Sequence, residues 1–251
     1  MPEIRIDPPR DWRPYYEQEV VLRRFVPGEE PYEEDRVRLV MRLLGDLRPA
    51  RILDIGCGDG YLCKRYAEAG ITARVQGLDI STGRLRYAAE LSPGACFVAG
   101  RIDRIPFRDG AFPLVSAVEV IEHIEDPAAA LREIARVSSR HVLITVPNEQ
   151  VPLQTLCPNC LHRFPLDGHL HTFTLADLAE ICRKAGLYVV HAERYNVPAA
   201  WEKRGPFRML GERGRAMVRR ALVRAGVMGE TRAKYVGVLC IKPEACEGEV
   251  R

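Results

Sequence analysis

Between Arg51 and Val146, short apolar runs alternate with stretches whose apolar residues recur at helical spacing. The runs Arg51 to Ile55, Ala73 to Leu78, Ala95 to Ala99, Leu114 to Val118 and His141 to Val146 predict strands, while Tyr61 to Ala69, Gly83 to Leu91 and Pro127 to Val137 predict helices. Strands separated by helices pair in parallel through right-handed crossovers, so the expected fold is a doubly wound, Rossmann-like α/β sheet. Upstream, Val37, Val40, Met41, Leu43 and Leu44 place a helix over Glu33 to Leu47, ended by Pro49 and preceded by a Pro-rich leader containing Tyr15 and Tyr16. Beyond Pro147 the rhythm breaks. An insertion over 147–174, rich in Pro, Cys and His, precedes a helix over Leu175 to Ala185, and so long a connection reads as a cover for a functional site. A strand over Tyr188 to Arg194, a basic segment over 201–233 and a strand over Lys234 to Ile241 follow. The expected organisation is a leader and helix over 1–48 and one α/β domain over 49–251.

A chain of 251 residues, 47% of them hydrophobic, can bury a full core. Its formal charge of +3 produces no global field that would select a nucleic acid or a membrane. Locally the picture changes. From Trp201 to Tyr235 ten basic side chains, Lys234 among them, face three acidic ones, and Met217, Val218, Ala221, Leu222 and Ala225 form an apolar helical stripe. An anionic partner at 201–234 is therefore a candidate: a lipid-linked or phosphorylated molecule, a membrane face, or RNA. No segment approaches the ~20 apolar residues that span a bilayer, and the charged start is not a secretory signal, so a cytoplasmic location is expected. Eight cysteines are too sparse for a disulfide scaffold, and Cys57, Cys63, Cys96, Cys182 and Cys240 lie in apolar stretches. Cys157 and Cys160, followed by His169 and His171, have the residue types of a tetrahedral, structural zinc site. The competing reading is a loop with two free thiols.

The segment from Ile52 to Gly60 joins an apolar strand to a helix through Gly56, Gly58 and Gly60, so the chain turns sharply and exposes backbone to a ligand. A nucleotide dehydrogenase would carry G-x-G-x-x-G; the spacing here is G-x-G-x-G, and Asp54 just before it suits a ligand bearing an ammonium and a sulfonium better than a pyrophosphate. Asp79 ends the second strand, where doubly wound folds place a ribose-binding carboxylate. Glu119, Glu122 and His123 follow the fourth strand at helical spacing, which would set all three on one face at the carboxyl edge of the sheet.

With these residues in place, the stretch from Arg51 to Ala185 resembles the class I S-adenosylmethionine-dependent methyltransferases, especially the ubiquinone-biosynthesis-like subgroup. The resemblance rests on Leu53-Asp54-Ile55-Gly56-Cys57-Gly58, Leu78-Asp79-Ile80-Ser81, the run from Ile105 to Phe112 and the run from Glu119 to Pro127. It implies a seven-stranded sheet with an antiparallel last strand. It also implies cofactor binding by Asp54, Gly56, Cys57, Gly58 and Gly60 around the methionine moiety, by Asp79 at the ribose, by Ile80, Arg101 and Ile102 near the adenine, and by Glu119. Two positions depart from the family pattern: Gly100-Arg101 stands where relatives often carry Gly-Asp, and Phe112-Pro113 where they carry Phe-Asp. Glu122 and His123 become the candidate catalytic residues, since small-RNA 2′-O-methyltransferases and ubiquinone-pathway enzymes can hold a divalent metal with a Glu-x-x-Glu-His set. In the RNA enzymes a later histidine completes that set, and His171 is the loose match. Such oxygen-rich ligation suits Mg²⁺. The implied activity is O-methylation of a small or lipid-linked acceptor; RNA 2′-O-methylation and a non-catalytic, cofactor-binding regulatory module are the alternatives.

Overall fold

The computed structural model describes residues 13–22 (backbone only for 18–22), 33–150, 152–156, 163–195 and 233–243, together with seven isolated positions between 209 and 224. Its elements are α1 (Arg13–Leu22), α2 (Glu33–Leu44), β1 (Ile52–Ile55), α3 (Tyr61–Glu68), β2 (Val75–Asp79), α4 (Thr82–Leu91), β3 (Cys96–Ala99), β4 (Phe112–Val118), α5 (Pro127–Val137), β5 (Ser138–Pro147), β6 (Gln154–Leu156), β7 (Arg163–Pro165), α6 (Leu175–Lys184), β8 (Tyr188–Tyr195) and β9 (Tyr235–Ile241). Seven strands form one sheet in the order β3-β2-β1-β4-β5-β9-β8. The pairs from β3 to β5 are parallel, and β9 runs antiparallel to both β5 and β8. The doubly wound sheet with a reversed last strand is thus the observed fold.

Alternation along the strands divides the core in two, because successive side chains of a strand point to opposite faces. Leu53, Ile55, Val142, Ile144 and Val146 pack with Leu131 and Ile134 of α5 and Leu178 of α6. Ile52, Leu114 and Leu143 pack on the other face with Leu39, Val40 and Leu43 of α2 and Tyr66 of α3. The helix ends are fixed locally: Asp126 accepts from Ala129 N–H with Pro127 opening α5, and a reciprocal Thr174–Asp177 capping box starts α6 and closes the insertion.

Several elements differ from expectation. The leader forms α1 despite Pro14, which is tolerated near a helix start because its missing N–H would be unpaired there. Strand β4 begins at Phe112, with a register shift across Pro113. The insertion contains the antiparallel hairpin β6–β7, whose three-residue strands are too short to show alternation in the sequence. Cys96 is exposed, whereas Cys57, Cys63, Cys182 and Cys240 are buried. Cys157 and Cys160 lie outside the described residues, as does most of the basic segment 201–233. No helix among the described residues is long and apolar enough to cross a membrane.

Candidate active site

Strand order reverses between β1 and β4, and the crevice beyond the carboxyl ends of these strands is where this architecture leaves room for a ligand. The chain leaves β1 through Gly56, at φ +66°, where an added Cβ would lie 2.4 Å from Val120 Cγ2. Gly60, at φ +81°, starts α3, and its Cβ would meet the Ala88 methyl at 2.9 Å. Both positions therefore demand glycine for conformation and for space. Gly58 N–H donates to Asp79 Oδ2 at 2.9 Å, and Ser81 N–H donates to Asp79 Oδ1 at 2.8 Å. Asp79 thereby ties the glycine loop to the start of α4. Burial pushes its carboxyl up, opposed by these backbone donors.

Two adjoining compartments open here. The smaller, of about 370 Å³, is bordered by Asp79, Ile80, Arg101 and Ile102; the larger, of about 490 Å³, by Asp54, Cys57, Gly58, Arg36, Glu122, His169 and Lys234. Tyr16, Gly56, Arg84, Glu119 and His123 border both. Gly60 borders neither and acts through the shape of the loop. Arg101 holds Asp103 in a bidentate pair at 2.9 and 2.8 Å, so an acidic group stands at this edge two residues beyond the position at which relatives carry it. Tyr16 was legible only as an aromatic in the leader. It stands edge-on to His123 with ring centroids 6.3 Å apart, and its neighbour Glu17 accepts from Thr82 N–H at 2.7 Å and Gly83 N–H at 3.1 Å at the start of α4. The sequence gives no local signal for that contact.

Asp54 is buried beneath the loop, accepting from Ser116 Oγ at 2.7 Å and from Cys63 Sγ at 3.7 Å. Desolvation raises its pKa to about 7 against the two hydrogen bonds. The folded state then holds this proton more tightly than the unfolded chain, whose aspartates titrate near ~4. Its contribution to stability is present below pH ~4 and is lost as pH rises to about 7. Thermal melts of the ligand-free protein should show this decline, and Asp54→Asn should flatten it; an unchanged slope in the variant would assign the decline to other groups.

Glu119, Glu122 and His123 do converge, but not on a helix face. Glu119 sits at φ +56° at the end of β4, and Ile121–His123 form a single 3-10 turn. The expectation of helical spacing is therefore corrected: the left-handed residue and the tight turn bring the groups together, and Thr145 fixes the first of them by donating to Glu119 Oε1 at 2.9 Å. Burial pushes the carboxyl of Glu119 up, and that of Glu122 further. Both carboxylate oxygens of Glu122 and Nδ1 of His123 are buried with no hydrogen-bond partner in the structure. Burial, with His169 alongside, lowers the His123 pKa to about 3, so its imidazole is neutral at physiological pH.

The insertion reaches this point. Leu170 N–H and His171 N–H donate to the Glu122 carbonyl at 2.7 and 3.2 Å, and the His169 ring lies 4.7 Å from that of His123. Glu122, His123 and His169 offer ligand atoms within 4.8 Å of one another. The two histidines of the insertion have different surroundings: His171 Nε2 donates to Ile124 C=O at 2.8 Å, while His169 faces His123. The Cys157 and Cys160 half of the anticipated zinc set is outside the described residues.

Comparison with known proteins adds the chemistry. Residues 29–192 match the methyltransferase-domain family. Curated relatives include a demethylmenaquinone methyltransferase of Renibacterium salmoninarum, 34% identical over 40% of this chain and 42% of the relative. A malonyl-[acyl-carrier protein] O-methyltransferase of Pseudescherichia vulneris is 34% identical over 39% of each chain, and a ubiquinone biosynthesis O-methyltransferase of Neisseria meningitidis is 30% identical over 57% of this chain and 66% of the relative. The chain thus spans about two fifths of the length of the first two. A structure of an S-adenosylmethionine-dependent methyltransferase from Listeria monocytogenes superimposes with a TM-score of 0.60 at 16% identity, covering 84% of this chain and 98% of that one. The [4+2]-cyclase SpnF superimposes at 0.55 and 21% identity, covering 83% and 80%, so the architecture by itself does not dictate the reaction. The family match over most of the chain, on a sheet of this order with a glycine cradle at its switch point, shows that the chain belongs to the methyltransferase-domain family and has the fold of the class I S-adenosylmethionine-dependent methyltransferases.

Proposed function

We propose that the protein methylates a hydroxyl oxygen of a small or lipid-linked acceptor, with a divalent cation held by Glu122, His123 and His169. One observation carries this reading: three buried polar atoms, both oxygens of Glu122 and Nδ1 of His123, have no hydrogen-bond partner and face a third potential ligand in His169. Leaving such groups buried and unmatched costs about 1–3 kcal/mol each, a cost that a bound cation removes. One carboxylate and two imidazoles suit Zn²⁺ or Mn²⁺ better than Mg²⁺, which prefers oxygen ligands. The cation would act as a Lewis acid on the acceptor oxygen, easing loss of its proton. His123 serves here as a ligand, because an imidazole with a pKa of about 3 is a weak proton acceptor.

S-adenosylmethionine supplies the methyl group on its sulfonium, and the task of the chain is alignment. The smaller compartment takes the nucleoside, with Asp79 at the ribose and Ile80, Arg101 and Ile102 around the base. A carboxylate has about four acceptor positions, so Asp79 can serve the ribose hydroxyls while still accepting from Gly58 and Ser81. The methionine moiety lies along Gly56, Cys57 and Gly58 above Asp54, with Glu119 between the compartments. The larger compartment then receives the acceptor. A lipid-linked acceptor is favoured by one feature, the exposed Leu153, Leu156 and Leu166 on and beside the hairpin, the last of which borders the larger compartment.

Calorimetric titration of Mn²⁺ and Mg²⁺ into wild type, His169→Ala and His171→Ala tests the site. The expected result is binding to wild type and His171→Ala, weakened at least tenfold in His169→Ala, with methyl transfer to phenolic acceptors stimulated by the same cation. Absence of binding to wild type, or equal binding by all three, would overturn the cation assignment.

A further inference from the structure

The start of α4 is completed by a segment from far away in the chain. N–H groups at the opening of a helix have no partner within it, and here each of the four from Ser81 to Arg84 can be traced. Two are satisfied locally: Ser81 N–H donates to Asp79 Oδ1 at 2.8 Å, and Arg84 N–H donates to Ser81 Oγ at 3.2 Å. The middle two go to α1. Thr82 N–H donates to Glu17 Oε1 at 2.7 Å and Gly83 N–H donates to Glu17 Oε2 at 3.1 Å, while the Thr82 hydroxyl adds a bond to Oε1 at 2.9 Å. Both oxygens of one carboxylate therefore engage the positive end of α4. Burial pushes the Glu17 carboxyl up, and the Thr82 and Gly83 donors outweigh it, leaving the carboxyl below its ordinary value. These bonds lie at or near the surface, where water can replace each of them, so the attachment of α1 can open and close.

The side chain that this attachment holds in place is Tyr16. Its ring stands edge-on to Tyr15 at 5.2 Å and to His123 at 6.3 Å, and the Arg84 guanidinium lies 5.8 Å from its centroid. α1 thus meets α4 at two successive levels, Glu17 at Thr82 and Gly83 and Tyr16 at Arg84. Tyr16 also borders both compartments, together with Gly56, Arg84, Glu119 and His123. A methyl group that leaves a donor in the smaller compartment for an acceptor in the larger must pass these residues. Of the five, Tyr16 alone precedes the matched methyltransferase domain, which begins at residue 29. The turn that Glu17 caps starts at Asp79, so docking of α1 and seating of a nucleoside act on the same few residues.

We infer that α1 is the closing wall of the donor site, with Tyr16 covering the junction of the two compartments and Glu17 as the positioning residue that holds it there. The inference rests on the placement of the donor in the smaller compartment and is independent of the acceptor being a hydroxyl. α1 opens for S-adenosylmethionine to enter and for S-adenosylhomocysteine to leave, and its closed form sets the residence time of the bound nucleoside.

The test combines the dissociation rate of S-adenosylhomocysteine, followed by displacement in stopped flow, with hydrogen exchange along α1 in the full chain. In wild type, S-adenosylhomocysteine should slow exchange at the amides of α1. Tyr16→Ala should release it about tenfold faster and Glu17→Ala about fivefold faster, with Glu17→Gln between Glu17→Ala and wild type. Because Glu17 acts through Tyr16, the double variant should match Tyr16→Ala to within about twofold. Additive effects would show Glu17 serving the Asp79 turn by itself and would overturn its role as the positioning residue. Release rates unchanged in both single variants, or no protection of α1 by S-adenosylhomocysteine, would overturn the closing wall. Asp79→Ala separates these failures from a misplaced donor. Undiminished affinity for S-adenosylhomocysteine in that variant would reject the donor placement, whereas weakened affinity there beside unchanged α1 variants would reject the closing wall alone.

Discussion

Gly56→Ala is expected to lose at least a hundredfold in affinity for S-adenosylmethionine while keeping the sheet intact. The backbone there is left-handed at φ +66°, which costs an L-residue about 1–2 kcal/mol, and the new methyl would stand 2.4 Å from Val120 Cγ2. Val120 cannot simply retreat, because it lies between Glu119, held at φ +56° by Thr145, and the 3-10 turn carrying Glu122 and His123. The strain is therefore relieved by opening the loop, whose Gly56 N–H bond to Leu78 C=O is 2.7 Å long. Gly45→Ala is the control: it also has a positive φ, but nothing lies within 4 Å of its Cβ position. It should cost stability by a similar conformational amount without touching affinity. Equilibrium binding measured on both variants decides the matter, and comparable affinities for the two would mean that the tight approach of Val120 plays no part in shaping the cradle.

The second large effect is expected at Glu122, where loss of activity and gain of stability should coincide. Its carboxylate is buried with neither oxygen paired, whereas its backbone carbonyl accepts from Leu170 and His171. Glu122→Met keeps the carbonyl contacts and the approximate volume while removing the unmatched polar atoms. In the absence of metal the variant should be more stable by about 1–3 kcal/mol, or a melting point raised by several degrees. Added Mn²⁺ should raise the melting temperature of wild type and leave that of the variant unmoved, and turnover should fall at least a hundredfold. A variant destabilised in metal-free buffer would show that the carboxylate contributes to the fold rather than waiting for a ligand.

The parts of this molecule that were readable in the sequence are those whose cause is local. Gly56, Gly58 and Gly60 are fixed by backbone geometry within a few residues, and Asp79 by its place at the end of a strand, so both emerged with their strands and helices. The strands were found because alternation between two buried faces leaves a dense apolar signature, as in Leu53 and Ile55 on one side and Ile52 on the other. What stayed hidden depends on distant chain segments. Helical spacing placed Glu119, Glu122 and His123 together at the edge of the sheet, but a left-handed residue and a 3-10 turn, not a helix face, bring them there. The partnership of His169 with His123 is made by the insertion folding back onto the Glu122 carbonyl, while the neighbouring motif had suggested sulfur partners for the same histidine.

Among the described residues the two compartments share five, and they are built from different stretches of chain. The smaller is walled mainly by positions between Ile55 and Ala129, whereas the larger recruits α2, the insertion and the start of β9. Mutation can therefore explore new clients by altering the second set while the donor machinery stays untouched. Changes along the seam, at Tyr16, Gly56, Arg84, Glu119 or His123, and at Asp54, Cys57 and Gly58, which the proposed donor shares with the larger compartment, must satisfy both partners at once, and it is there that divergence of such a protein should be slowest.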